Sequence, residues 1–353
     1  MTHRAILINA KFMRSGSTAV HRVALELGNA LVSNSTDKKF IFVAPRGPIP
    51  IAAAEDFPIQ YVGRFRGIPW EQISLPLATR GGLLLNFCNM TPLFLRNAMT
   101  MVHDAQVFTY PGDYSVIRGA WSRLHIRLAG KLQRGLLTVS EFAKSELVGL
   151  GIAPAERIHV IHNGVDHILR ISPEDGVLDR IGVISRHYAL GLSNTMAHKN
   201  IGVLLRAFAR PEMAEIKLVL AGKGTAADFA AMKFPIPPNV IFSGYVTDGE
   251  MRSLLAHALA VCTPSLTEGF GMPPVEGMLL GTPAVIAPCG ALPEVCGPDT
   301  LQVNPQDPAA WAGAIIRLRN EPELWQHLSE TGRAFAAQFT WAAAATRVQS
   351  IID

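Results

Sequence analysis

The sequence predicts an α/β protein of two domains, each a parallel sheet with helices packed on its faces. Three observations predict it. The chain has 353 residues, which suits two domains of roughly 100–200 residues each. Short apolar runs rich in β-branched residues alternate with longer helical segments, the order of repeated βα units. The runs are continuous rather than alternating, as in strands buried on both faces. With 49% hydrophobic and 17% charged residues, the chain can build two cores, and disorder is excluded.

In the first half, Ala5–Asn9, Phe40–Ala44, Leu83–Asn86, Thr100–His103, Leu136–Val139 and His159–His162 read as strands. In the second half, the strands are His187–Leu192, Ile216–Ala221, Val240–Ser243, Leu259–Thr263 and Thr282–Ile286. Ser140 follows a strand and precedes Phe142–Leu147, the place of an N-cap. Thr247 with Glu250 three residues on matches a capping box. The polar stretch Ser172–Asp179 separates the two strand series, so the domains are expected at 1–168 and 169–340, with a terminal helical segment at 341–353.

Several classes are excluded. The apolar stretch Ala5–Asn9 is too short for a signal-peptide core and lacks a cleavage-type ending, so a cytoplasmic protein is expected. The longest uncharged stretch, Gly277–Pro293, is interrupted by Pro283 and Pro288, which suits a buried helix-turn-strand better than a membrane span. Cys88, Cys262, Cys289 and Cys296 form no CxxC pair, as expected of reduced structural thiols rather than zinc ligands. The net charge of +4 suits an anionic ligand or membrane surface, and no nucleic-acid partner is expected.

In open parallel sheets, ligands bind where loops leave the carboxyl ends of strands. Four such loops carry the candidate chemistry. The first, Lys11–Thr18, includes Gly16 and Ser17 ahead of a helix; it reads either as a phosphate contact or as an ordinary strand-to-helix loop. The second, Leu190–Ile201, brings Asn194 and Lys199 to a helix start. A cation there opposes the helix dipole, which favours a bound anion such as a diphosphate over a merely solvated lysine.

The third loop is the most specific. Glu268-Gly269-Phe270-Gly271-Met272 leads through Pro273 and Pro274 into a helix that carries Glu276. Carboxylates accept hydrogen bonds from hydroxyl pairs, as on a sugar or ribose; Glu276 alone is also explained as a helix-terminus acid. The fourth is Val102-His103-Asp104, where a strand-end histidine is either a hydroxyl partner or structural. Gly222-Lys223-Gly224-Thr225-Ala226-Ala227 matches a dinucleotide fingerprint, but the next strand ends in Gly244-Tyr245 rather than an acid, which discounts a nicotinamide enzyme. The basic stretch Arg118, Arg123, Arg127, Lys131 and Arg134 has helical spacing and reads as a membrane-surface helix or as a solvated basic face.

Together these segments resemble the retaining glycosyltransferases of family 4, which have the GT-B fold: two Rossmann-like domains facing across a cleft. The resemblance is closest over Lys199–Arg317. Glu268 to Glu276 is similar to that family's E-x7-E signature, and Leu292-Pro293-Glu294-Val295 and Asn304-Pro305-Gln306-Asp307-Pro308 resemble the segments that follow it. Val139–Lys144 and His162–Asp166 resemble its junction motifs, and the match is loose before Thr100.

The resemblance implies an N-terminal acceptor domain and a C-terminal nucleotide-sugar domain, with the terminal helix crossing back onto the first. It implies that Glu276 holds the ribose hydroxyls and Glu268 contacts the transferred sugar. Lys199 would bind the diphosphate, helped by backbone N–H groups around Phe270–Pro273 and near Gly16, and His103 would lie against the sugar. Asn194 stands where the family often has an arginine, and Arg14 and Arg186 are the candidates to compensate. No Asp-x-Asp triplet occurs, so the metal-diphosphate clamp of the other large glycosyltransferase class is missing and no metal or other cofactor is expected.

The expected reaction moves a sugar from a nucleoside diphosphate to a hydroxyl of a glycan or lipid-linked glycan, with anomeric configuration retained. GDP-mannose and polysaccharide biosynthesis are the expectation from the family's bacterial members, with UDP-glucose and UDP-N-acetylglucosamine as alternative donors. Peripheral membrane contact at the inner face accompanies a lipid-linked acceptor. A sugar-nucleotide epimerase of the same fold and a non-catalytic nucleotide-sugar-binding protein are the alternatives.

Overall fold

The computed structural model describes residues 5–14, 18–35, 38–47, 59–79 and 81–352. The chain divides into two compact units: Met1–Gly164 with Phe339–Asp353, and Val165–Gln338.

Unit 1 contains β1 (Ile6–Asn9), β2 (Phe40–Ala44), β3 (Ile59–Tyr61), β4 (Leu84–Asn86), β5 (Ala98–Met101), β6 (Gly135–Thr138) and β7 (Ile158–Val160). They form one sheet in the order β3-β2-β1-β4-β5-β6-β7, with every pairing parallel. Unit 2 contains β8 (Tyr188–Ser193), β9 (Lys217–Gly222), β10 (Val240–Gly244), β11 (Ala260–Thr263), β12 (Ala284–Ile286) and β13 (Leu301–Gln302). Its order is β10-β9-β8-β11-β12-β13, again all parallel. In each sheet the strand order reverses direction once, between β1 and β4 and between β8 and β11. Crevices at such reversals are where open parallel sheets bind ligands.

Both caps form as their sequence requires. The Ser140 hydroxyl accepts from the Ala143 N–H at the start of helix Glu141–Gly149. Thr247 and Glu250 close a reciprocal capping box on helix Asp248–His257. The expected strand Thr100–His103 instead spans Ala98–Met101, two residues earlier, because Ala98–Thr100 pair with β4. That shift leaves Val102-His103-Asp104 in the loop beyond the strand. The two strands without a sequence signal, β3 and β13, are short edge strands that are not fully buried.

The terminal helix Trp341–Ile352 packs against helix Ala19–Ser33 in unit 1. A glycine makes the approach possible: a Cβ on Gly164 would lie 2.3 Å from the Trp341 backbone nitrogen. Phe339 meets the His162 ring edge-on, with centroids 5.6 Å apart. The four cysteines are free thiols, and burial pushes Cys262 up to about 12. Among the described residues no helix is long and apolar enough to cross a membrane.

Candidate active site

Unit 2 assembles its polar groups at the strand-order reversal. Beyond β8 the chain makes a tight turn in which the Asn194 side chain accepts from the Met196 N–H at 2.9 Å. The turn Ala197–Lys199 follows, and Asn200 then adopts the left-handed conformation with φ 52°. Asparagine is among the few residues that enter this region readily. Its amide donates to Pro264 O at 3.1 Å and Pro305 O at 2.8 Å, tying the β8 loop to the loops beyond β11 and β13. The Leu266 N–H donates to His198 O at 2.7 Å, a second tie to the β11 loop.

These ties bring Lys199 and Glu268 together across 69 residues of sequence: Lys199 Nζ donates to Glu268 Oε1 at 2.8 Å. Ser265 Oγ donates to the same oxygen at 2.7 Å. The side chains of Lys199 and Glu268 retain 23% and 14% exposure, so the pair is reachable from solvent. Gly290 closes the base of the loop. Its φ is +64°, and a Cβ there would lie 2.4 Å from the Glu268 nitrogen. Its neighbour Ala291 donates to Glu268 O at 3.0 Å.

Gly271, at φ +94°, precedes helix Met272–Leu280 and makes no side-chain cap. Phe270 and Met272 are buried. Pro273 and Pro274 have no amide hydrogen, so the expected row of backbone donors is thinner than the sequence suggested. Of the first four helical residues, only Met272 and Val275 carry an N–H. Glu276 is buried one turn further on, and His167 Nε2 lies 3.1 Å from its Oε1. His167 itself is buried in the turn Asp166–Leu169. This residue was missed in the sequence, although it immediately follows the His162–Asp166 junction motif.

The fingerprint-like segment after β9 has a different explanation. Gly222 has φ +137°, and a Cβ on it would lie 2.7 Å from Ser193 O; one on Gly224 would lie 2.7 Å from Ser193 Oγ. Ser193 Oγ donates to Gly224 O at 2.7 Å. The glycines therefore let this loop press against the end of β8, and Thr225 with Asp228 caps the following helix. Lys223, between the two glycines, is exposed beside the residue preceding Asn194.

Arg186 does not replace the absent arginine. It lies at the amino end of β8, away from Lys199, with its guanidinium stacked 3.7 Å over the Trp325 ring. Arg14 belongs to unit 1, where it donates to Arg46 O at 2.7 Å. His103 is also in unit 1. Its Nε2 is 2.7 Å from Phe87 O, and since a carbonyl only accepts, Nε2 carries the proton and Nδ1 is left as an acceptor. Burial, the largest cause, holds its pKa below the usual histidine value. Gly16 and Ser17 lie outside the described residues. Among the described residues no cluster of three or more His, Cys, Asp or Glu side chains is arranged to hold a metal.

The family model described as "Glycosyl transferases group 1" matches residues 187–321, the span that holds Lys199, Glu268 and Glu276. The O-antigen chain mannosyltransferase B of Escherichia coli is 30% identical over 261 residues, 71% of this chain and 68% of that protein. The O-antigen chain mannosyltransferase RfbU of Salmonella typhimurium is 27% identical over 274 residues, 74% of this chain and 73% of its own length. Among solved structures, Anabaena HepE in complex with UDP-glucose superposes with a TM-score of 0.76 at 18% identity, covering 99% of each chain. At that identity the likeness concerns architecture, two Rossmann-like parallel-sheet domains of the GT-B type. With the signature loop matched and two thirds of a mannosyltransferase aligned at 30% identity, this chain belongs to the group 1 glycosyl transferases and is a glycosyltransferase of the family-4 type.

Proposed function

We propose that the chain transfers a mannosyl group from GDP-mannose to a hydroxyl of a glycan or lipid-linked glycan, with retention and without a metal ion. The observation that carries the reading is the Lys199–Glu268 pair at the β8/β11 reversal. A cation and a carboxylate at the carboxyl ends of the two central strands match what a nucleotide sugar presents, a diphosphate joined to a ring of hydroxyls. The relatives named as O-antigen mannosyltransferases support mannose and a polysaccharide acceptor. HepE, crystallised with UDP-glucose, supports a nucleotide sugar in this architecture and keeps UDP donors in the comparison.

In this reading the Lys199 ammonium leaves Glu268 for the diphosphate and stabilises the charge that grows as the phosphate departs. Glu268, still held by Ser265, then takes the sugar hydroxyls. Glu276 receives the ribose hydroxyls, with one oxygen anchored by His167 so that the other is presented in a fixed direction. Lys223, beside the Asn194 turn, supplies the second positive charge that the family usually draws from arginine. His103, neutral and with Nδ1 as an acceptor, is suited to a hydroxyl rather than to an anion.

Helix Val116–Leu132 exposes Val116 and Ile117 at its first turn beside Arg118, which supports peripheral contact with an anionic membrane. Arg123 and Arg127 are committed elsewhere, to Val107 O and to the Phe108 ring.

The test is calorimetric titration of the chain with GDP and UDP in chelator, alongside Glu276→Ala. Micromolar binding of GDP that is lost in the variant supports the reading, and tighter UDP binding replaces the base. A strict requirement for a divalent cation refutes the metal-free mechanism. Isomerised donor formed without acceptor would point to an epimerase.

A further inference from the structure

Unit 1 has its own reversal of strand order, between β1 and β4, and the two strands meet there through a buried hydrogen bond from Asn9 Nδ2 to Asn86 Oδ1 at 3.0 Å. A cavity of about 410 Å³ opens at that point, lined among others by Asn9, Lys11, Arg14, Arg66, Glu71 and Phe87. The volume is that of a small-molecule site.

Among the described residues that line this cavity the charges do not balance. Glu71 is 1% exposed and lies 2.5 Å from Lys11 Nζ, so this carboxylate is already matched by one cation. Arg14 and Arg66 then leave a surplus of positive charge on the lining. Arg14 is held in place: its Nη1 donates to Arg46 O at 2.7 Å. Gly47, at φ +130°, makes room for the guanidinium, since a Cβ there would lie 2.7 Å from Arg14 Nη2. A neutral sugar needs hydroxyl partners and an apolar face but no fixed guanidinium; an oxyanion is what a guanidinium fork matches.

We propose that this cavity holds an acidic sugar of the acceptor, one that carries a phosphate or a carboxylate, with the anionic oxygens on Arg14 and Arg66. The ring hydroxyls lie toward Asn9 and the Lys11–Glu71 pair. The proposal rests on the glycosyltransferase reading for the word acceptor, and it specifies the acceptor's chemistry, which the donor site does not.

The experiment titrates the full chain with mannose 1-phosphate, glucuronate and mannose, each with saturating GDP or UDP present to occupy the donor site. An acidic sugar should bind at least tenfold tighter than mannose. Whether mannose 1-phosphate or glucuronate binds tighter names the anion. Arg66→Gln and Arg14→Gln should each weaken that binding tenfold or more, with nucleotide binding unchanged, while Lys199→Ala leaves acidic-sugar binding intact. Equal binding of mannose and the acidic sugars, no binding of either acid, or indifference to both arginine variants overturns the proposal. Loss of binding in Lys199→Ala alone also overturns it, because the anion is then at the donor site. Nucleotide binding is read in the same titrations, so failure of the donor assignment shows as loss of that signal with acidic-sugar binding retained.

Discussion

Lys199→Met removes the ammonium and keeps most of the stem. Glu268 then loses its cation at 2.8 Å but keeps the Ser265 hydroxyl at 2.7 Å. Because the two side chains remain 23% and 14% exposed, solvent screening limits the folding cost to about 1 kcal/mol. That is a shift in melting temperature of roughly 2–4 °C for a unit of this size.

On the proposed reading, in which Lys199 meets the diphosphate, the catalytic cost is larger. A unit charge about 4 Å from a phosphate oxygen contributes about 4 kcal/mol at an effective dielectric constant of about 20. Removing a single preorganised group that stabilises developing negative charge costs about 2.7–4 kcal/mol. kcat/KM for the donor should therefore fall about 10²–10³-fold. The bared Glu268 carboxylate also repels the diphosphate, so Lys199→Met with Glu268→Gln should recover roughly tenfold in nucleotide affinity over Lys199→Met alone, without restoring turnover. Nucleotide release and nucleotide titration on the unsubstituted chain and the two variants measure both effects. A fall of less than about fivefold, or no recovery in the double variant, refutes the reasoning.

Lys223→Ala should weaken nucleotide binding by a factor of about ten, the effect of losing one partly screened charge, and unchanged titrations would remove Lys223 from the site. His167→Ala leaves Glu276 without its buried partner, at a cost of about 1–3 kcal/mol; KM for the donor should rise more than kcat falls, and His167→Gln should restore part of it. Arg186→Ala loses the stacking on Trp325, about 1 kcal/mol of stability, while donor kinetics stay unchanged; a kinetic defect without a thermal one would contradict its placement. Burial lowers the pKa of His103, His125 and His159 below 6.5. The unfolded chain therefore binds more protons just below that pH, so their contribution is complete above about 6.5 and is lost as pH falls through the folded values. Melting temperature should drop between pH 7.5 and 5.5, and His103→Gln should flatten that slope.

Local chemistry makes parts of this protein legible from residue order alone. Continuous apolar runs specify strands buried on both faces, and the Ser140 and Thr247 caps follow from backbone N–H groups that need partners within three residues. The glycine-rich loop from Glu268 to Met272 announces itself because few other residues permit such backbone geometry beside a helix start. The same local logic fails for β3 and β13, edge strands too short and too exposed to leave an apolar signature.

Partnership across distance was decided only in three dimensions. Lys199 meets Glu268 because β8 and β11 lie side by side in the sheet, although the residues are 69 positions apart in sequence. His167 reaches Glu276 by folding the junction turn against a helix more than a hundred residues later. The Gly222 and Gly224 pair, which reads locally as a dinucleotide loop, is explained by the close approach of Ser193 from the neighbouring strand. Arg186, near in sequence to the Lys199 loop, stands at the opposite end of the same strand and stacks its guanidinium on Trp325. Residue order determines which segments are strands, helices and turns, since those depend on neighbours along the chain. Which charges face one another depends on strand order and register, and the tertiary structure decides that.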